Sequence, residues 1–253
     1  MGLTQLDFYG HNKVEVAIMR LKEFCPPEGY YLAFSGGKDS EVVYDLAVKS
    51  GVKFDAHFNV TTVDPPEVLK FIKENYPNVE WERPNRTMYQ IIEKHGLPTR
   101  KYRHCCEELK ERGGEGRFCL TGIRAQESNN RALRSMVEFC TNKDKKFLHP
   151  IIDWTSKEVW KYIHDNKLSY CSLYDEGFKR IGCVLCPMTG AKKTQEELAR
   201  WPKFGNAYRI AIEKLFNRHV PSMAKFKSAE EMWQWWLSRK GQKKDDGQCS
   251  MFI

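Results

Sequence analysis

The chain has 253 residues, with 41 lysines and arginines against 33 aspartates and glutamates, a formal charge of +8 and a hydrophobic fraction of 41%. This suits one large α/β domain, or one domain with a smaller helical appendage; no Pro/Gly/Ser-rich stretch or repeat period points to a disordered linker or a solenoid. No apolar run approaches a membrane span, and Met1-Gly2-Leu3-Thr4-Gln5-Leu6-Asp7 lacks a basic start followed by an apolar core, so a soluble, cytoplasmic protein without membrane association is expected.

Val14, Ala17, Ile18 and Leu21 have helical spacing and predict a helix over residues 13–24, broken by Pro26, Pro27 and Gly29. The run Tyr30-Tyr31-Leu32-Ala33-Phe34 predicts a buried strand. A glycine loop follows, then a helix over residues 41–49 with Gly51 just past its end. Further strands are expected over 54–60, 79–81, 118–121 and 147–152. Helices are expected over 67–76, which Asp64-Pro65-Pro66 opens, 88–95 and 156–163. Strands alternating with helices give the fold class: α/β, an open and mostly parallel sheet with helices on both faces. This nucleotide-binding domain is assigned to residues 1–190, and a helical C-terminal region to 191–253. There Thr194-x-x-Glu197 and Ser228-x-x-Glu231 both read as capping boxes. Trp233, Trp235 and Trp236 are expected to pack that region onto the main domain, contact with a base or a partner being the alternative.

The loop Ser35-Gly36-Gly37-Lys38-Asp39-Ser40 lies between a strand and a helix. Two glycines let the backbone turn and bring amide N–H groups close to a phosphate, and the helix aims its positive N-terminus at the same place. Lys38 adds a full charge, Asp39 offers oxygen ligands to Mg²⁺, and Ser35 and Ser40 offer hydroxyl donors. The hexapeptide resembles the pyrophosphate-binding PP-loop of the adenine nucleotide α-hydrolase-like superfamily. That resemblance implies binding of ATP, or of an activated sulfonucleotide, at the C-terminal edge of the sheet, where open α/β sheets take their ligands.

Cys105 and Cys106 are adjacent, and Cys183-Val184-Leu185-Cys186 is a CxxC. In a reducing compartment such thiols indicate a metal or redox chemistry rather than disulfides. Four soft ligands suit zinc or an iron–sulfur cluster, and an adjacent pair fits a zinc ribbon poorly. Between the two motifs lies Gly122-Ile123-Arg124-Ala125-Gln126-Glu127-Ser128-Asn129-Asn130-Arg131, in which Arg124 and Arg131 are suited to phosphate or sulfate oxygens. His149-Pro150-Ile151-Ile152-Asp153-Trp154 follows, then Glu158-Val159-Trp160. The order of these blocks resembles the phosphoadenylyl-sulfate (PAPS) reductase family in the broad sense. The tandem pair with the CxxC looks like the [4Fe–4S] pattern of assimilatory adenylyl-sulfate (APS) reductases. Cys25, Cys119, Cys140 and Cys171 have no partner spacing and are read as small buried hydrophobes.

Two departures divide the functional readings. The family's reductases carry a nucleophilic cysteine in a Glu-Cys-Gly-Leu-His-like tail; this chain ends Gly247-Gln248-Cys249-Ser250-Met251-Phe252-Ile253. Cys249 is either a nucleophile on a tail or an idle thiol. The complete Lys38-Asp39 loop is similar instead to members that cleave ATP between the α and β phosphates, such as the small subunit of sulfate adenylyltransferase and the sulfurtransferases of DNA phosphorothioation. The expected activity is therefore ATP cleavage to AMP and pyrophosphate, activating an acceptor in sulfur chemistry, with Lys38, Asp39, Arg124 and Cys249 as catalytic candidates and a sulfur donor as partner. The alternative is a PAPS or APS reductase that forms sulfite with a thioredoxin-like reductant. A third reading is a nucleotide-sensing or nucleic-acid-binding module that uses the +8 charge, nucleic acid also being a conceivable acceptor.

Overall fold

In the computed structural model, which describes residue 10 and residues 12–141, 144–219 and 225–239, the apolar run Tyr30–Phe34 forms β1, buried along its whole length. A strand with neighbours on both sides is sheltered on both faces, which is why its apolar run is continuous rather than alternating. β2 (Phe54–Asn59), β3 (Glu80–Glu82), β4 (Phe118–Leu120), β5 (Val137–Cys140) and β6 (Lys145–Leu148) complete a six-stranded sheet in the order β3-β2-β1-β4-β6-β5. Every pairing is parallel except β5 on β6. The mostly parallel α/β sheet is as expected; the antiparallel edge hairpin is an addition. β6 also starts and stops earlier than its apolar residues imply: Pro150, without an amide for a ladder, closes a turn in which Ile151 and Ile152 are buried.

The helices are α1 (Lys13–Glu23), α2 (Lys38–Ser50), α3 (Pro66–Asn75), α4 (Met88–His95), α5 (His104–Leu109), α6 (Asn129–Ala132), α7 (Ser156–Asp165), α8 (Ala191–Arg200), α9 (Pro202–His219) and α10 (Ala229–Ser238). No helix among the described residues is long and apolar enough to cross a membrane. Their boundaries follow local chemistry. α2 ends on Gly51 in the left-handed region, φ +72°, and Thr87 and Thr155 close capping boxes at the starts of α4 and α7.

The region after residue 190 is helical, as expected, but its caps differ. Ser228 accepts the Glu231 amide at the start of α10, while the Glu231 carboxylate turns to the Lys227 amide rather than closing the box on Ser228. Thr194 caps nothing: α8 begins at Ala191 behind Gly190, and the Thr194 hydroxyl, inside the helix, donates back to the Gly190 carbonyl at 3.1 Å. Trp233 and Trp236 are buried in the same apolar cluster as β1 and α2, and Trp236 donates its indole N–H to the Pro98 carbonyl at 2.7 Å.

Candidate active site

β1 runs into the glycine loop, and α2 leaves it. Gly36 holds φ +66°, a conformation that favours glycine, and a Cβ there would stand 2.8 Å from Ile72 Cδ1 of α3. Gly37 caps α2 with no side chain, so the helix N-terminus is not closed by its own cap residue. The serines brace the loop from inside: the Ser35 amide donates to Ser40 Oγ (3.2 Å), and Ser40 Oγ donates to the Gly37 carbonyl (2.8 Å). The Lys38 amide donates to the Tyr174 hydroxyl at 3.0 Å. Tyr174 follows β6 by more than twenty residues, and no local pattern marks it as a loop partner.

Lys38 Nζ and Arg124 Nε grip the two oxygens of Asp39, at 2.6 and 2.7 Å. Lys38 and Arg124 are 4% and 3% exposed, so this pairing offsets a desolvation cost that neither cation could bear alone. Arg124 also donates to the Trp154 carbonyl, and the Ala125 amide to the Ile152 carbonyl, which gives the His149–Trp154 block a supporting role. Gly122 explains how β4 reaches the loop: a Cβ there would lie 2.7 Å from the carbonyl carbon of Asp39, so only glycine lets the two backbones approach. Glu127 accepts the Arg124 amide and pairs with Arg131, which is buried behind it. Burial pulls the Arg131 pKa down, and Glu127 opposes this. Lys38, Arg124 and Arg131 thus stand against Asp39 and Glu127, leaving one positive charge in excess at the sheet's C-terminal edge. In the first turns of α2, Glu41 is fully buried and neither carboxylate oxygen has a partner. Burial, with Asp39 nearby, raises its pKa well above the carboxylate range.

The four clustered cysteines meet near the end of β2. Cys105 and Cys106 lie in α5, a short helix that the spacing of apolar residues does not announce. Cys183 donates to Thr61 Oγ1 at 3.4 Å, and the Val184 amide to the Val63 carbonyl at 2.8 Å, which docks the CxxC loop on the segment leaving β2. Cys106 is pulled down to about 6, first by a hydrogen bond from Cys105 and then by Arg103 and Lys110; Cys105 is pushed up by the same bond and by burial. Burial pushes Cys183 up to about 12. Burial works against the Lys110 ammonium, yet Cys183, Cys106, Cys186 and Asp64 around it raise its pKa. Arg103 donates Nη2 to Cys106 Sγ at 3.2 Å, while its Nε and Nη1 are buried without partners. Lys110 follows Cys106 by one helical turn, a spacing that could have marked it in the sequence.

The CxxC loop is gripped from the other side by the C-terminal helices. Leu185 holds φ +60°, which costs an L-residue roughly 1–2 kcal/mol. Its amide donates to the buried Glu197 carboxylate at 2.7 Å, and its carbonyl accepts from Arg239 at 3.0 Å. The Tyr208 hydroxyl donates to the Val184 carbonyl at 3.3 Å. Of the remaining cysteines, Cys119, Cys140 and Cys171 are buried and Cys25 is half-buried; burial pushes Cys119 up to about 11, as an inert core thiol requires. Cys249 lies outside the described residues. Elsewhere, His57, Glu80 and Glu82 bring three potential metal-ligating atoms within 4.8 Å of one another at the β2–β3 edge; among the described residues, no three of the cysteine sulfurs are that close.

The profile of the phosphoadenosine phosphosulfate reductase domain matches residues 29–189. An uncharacterized protein of Methanocaldococcus jannaschii is 33% identical over 201 residues, which cover 72% of this chain and 42% of that relative, so the chain spans less than half of its length. Adenosine 5′-phosphosulfate reductase 1 of Bacillus subtilis is 32% identical over 185 residues, 67% of this chain and 72% of its own. The crystal structure of phosphoadenylyl-sulfate reductase from Candida auris, a phosphate complex, aligns with a TM-score of 0.50 at 19% identity over 72% of this chain and 98% of that one, a likeness of fold.

Proposed function

The chain belongs to the phosphoadenosine phosphosulfate reductase family, and on that premise we propose that it binds ATP at residues 35–40 and cleaves it between the α and β phosphates to activate an acceptor in sulfur transfer. The observation that carries this reading is the complete loop, with Lys38 and Arg124 both held on Asp39 beside the uncapped start of α2. In this reading a nucleophile of the acceptor attacks the α phosphorus, the bond from that phosphorus to the bridging oxygen breaks, and its electron pair leaves on pyrophosphate. Lys38 and the loop amides meet the charge that grows on the leaving group, by position and electrostatics rather than by covalent chemistry. Arg124 and Arg131 neutralise the oxygens that stay with the nucleotide. Mg²⁺ would enter as the counter-ion of ATP; no step is assigned to it, since Lys38 and Arg124 hold both Asp39 oxygens.

Cys105, Cys106, Cys183 and Cys186 fit the ligands of a [4Fe–4S] cluster, which when bound would supply a centre for handling sulfur. One feature supports this: buried guanidinium N–H groups beside the thiols lack acceptors, as an anionic centre would provide.

The similarity to the Bacillus subtilis reductase favours a second reading. There the Cys249 thiolate would attack the sulfur of APS or PAPS, the S–O bond to the nucleotide phosphate would break, and a thioredoxin-like dithiol would release sulfite as it becomes a disulfide. Anaerobic incubation with ATP·Mg²⁺, or with each sulfonucleotide, separates the two. Pyrophosphate from ATP supports the first reading; sulfite formation that is lost in Cys249→Ser overturns it.

A further inference from the structure

The backbone of the CxxC loop is held largely by residues beyond the matched family domain: Glu197 of α8, Tyr208 of α9 and Arg239 at the end of α10. Arg239 is the unusual one. It is 8% exposed, and its guanidinium lies over the Trp236 ring at 4.4 Å. It donates Nη1 to the Trp236 carbonyl at 2.9 Å, and Nη2 to the Leu185 and Cys186 carbonyls at 3.0 and 3.4 Å. Its Nε is buried without a partner, and among the described residues no carboxylate comes within ion-pair distance of it.

A buried guanidinium bound only to neutral carbonyls is expensive to keep unless an anion lies near. Arg103, with two unpaired donors of its own, stands beside Cys106, and Lys110 lies among the same thiols. The cations at this site come from two parts of the chain: Arg103 and Lys110 from α5 and its flanks, and Arg239 from the C-terminal region.

We infer that Arg239 is a positioning residue of the cysteine site: it seats the CxxC loop through the Leu185 and Cys186 carbonyls and counters the negative charge of the group that Cys105, Cys106, Cys183 and Cys186 hold. The inference rests on the iron–sulfur reading above. It also gives the C-terminal helices a function, as the outer wall of that site. Hydrogen bonds and charge around the sulfurs of such a centre set its stability and potential.

The test uses the full chain, purified anaerobically, and measures the rate of iron release to a ferrous chelator beside the melting temperature of the metal-free protein. Arg239→Gln keeps an amide donor for the carbonyls and loses the charge; Arg239→Lys keeps the charge and loses the fork. Release at least tenfold faster in the Gln variant, with Lys within about threefold of wild type and all three metal-free proteins melting alike, is expected. Gln releasing iron at the wild-type rate, or Lys as labile as Gln, overturns the charge role. A metal-free melting temperature that falls in both variants and accounts for the lability reduces Arg239 to a structural anchor and also overturns it. If Arg239→Gln does not fold, Arg239→Lys against Glu197→Gln carries the test, since loss of Glu197 loosens the loop at the Leu185 amide and leaves the Arg239 guanidinium in the chain: greater lability in the Lys variant defeats the inference, greater lability in the Gln variant supports it. Wild-type protein that takes up zinc and no iron defeats the iron–sulfur reading itself, a result distinct from a wild type that holds iron and a variant that holds it equally well.

Discussion

Replacing Gly122 with alanine probes whether close backbone approach builds the nucleotide site. The added methyl would lie 2.7 Å from the Asp39 carbonyl carbon and 2.8 Å from its oxygen. Ordinary carbon contacts fall at about 3.5–4.0 Å, so the two chains must part by roughly 1 Å. Both sides of the contact are main chain, the end of β4 and the first turn of α2, and neither can rotate out of the way. Overpacking of this kind costs about 1–3 kcal/mol. The displacement falls on Asp39, which orients Lys38 and Arg124, so ligand binding should suffer more than folding. A shift of order 1 Å at a positioning group costs about a hundredfold. Denaturation in guanidinium chloride should show a lower midpoint at unchanged slope, and calorimetry a much weaker ATP affinity. Gly190→Ala, with nothing within 4 Å of the new methyl, serves as the control and should leave affinity unaltered. Wild-type stability and affinity in Gly122→Ala would refute the reasoning.

Other expectations follow from single contacts. Arg124→Gln leaves Asp39 with Lys38 as its one cation and should destabilise the protein by about 1.5–3 kcal/mol, the worth of a hydrogen bond to a charged group; a loss below about 1 kcal/mol by chemical denaturation would contradict the pairing. Glu41 has a raised pKa in the folded state. The unfolded chain therefore releases that proton first, and stability is fully present below the unfolded pKa and falls as pH rises toward the folded one, by about 1.4 kcal/mol for each unit between them. Glu41→Gln should remove that slope from stability measured between pH 4 and 9, whatever its constant offset; an unchanged slope counts against a buried neutral Glu41. Lys167 is exposed just past α7 at φ +53°, and Lys167→Gly should stabilise by about 1 kcal/mol by relieving a left-handed side-chain conformation. A lower melting temperature would contradict that.

Much of the frame was legible locally. The run Tyr30–Phe34 read best as a buried strand, and the loop after it carried its chemistry in six consecutive residues. The tandem cysteines and the CxxC were visible as motifs, yet α5 was not: residues 104–109 form too short a helix to show a period. β5 escaped because an edge strand needs only one apolar face, and Val137-Glu138-Phe139-Cys140 is too short to show a sustained alternation. Thr194 and Glu197 had the right spacing for a cap, but α8 starts a turn earlier, and Glu197 serves the Leu185 amide instead. What sequence could not offer were partners joined only by folding: Tyr174 on the Lys38 amide and Arg239 on the CxxC loop. Each lies far in the chain from the motif it serves or carries no signature of its role.

The central claim, that residues 35–40 hold ATP, is tested most directly by titrating ATP into the full chain and into Lys38→Ala, with the melting temperature of each checked first. Losing a charged contact to phosphate costs roughly 1.5–3 kcal/mol, so saturable binding by the wild type and affinity about 10- to 100-fold weaker in the variant are predicted. Equal affinity in the two proteins, or ATP binding that persists undiminished, would contradict it.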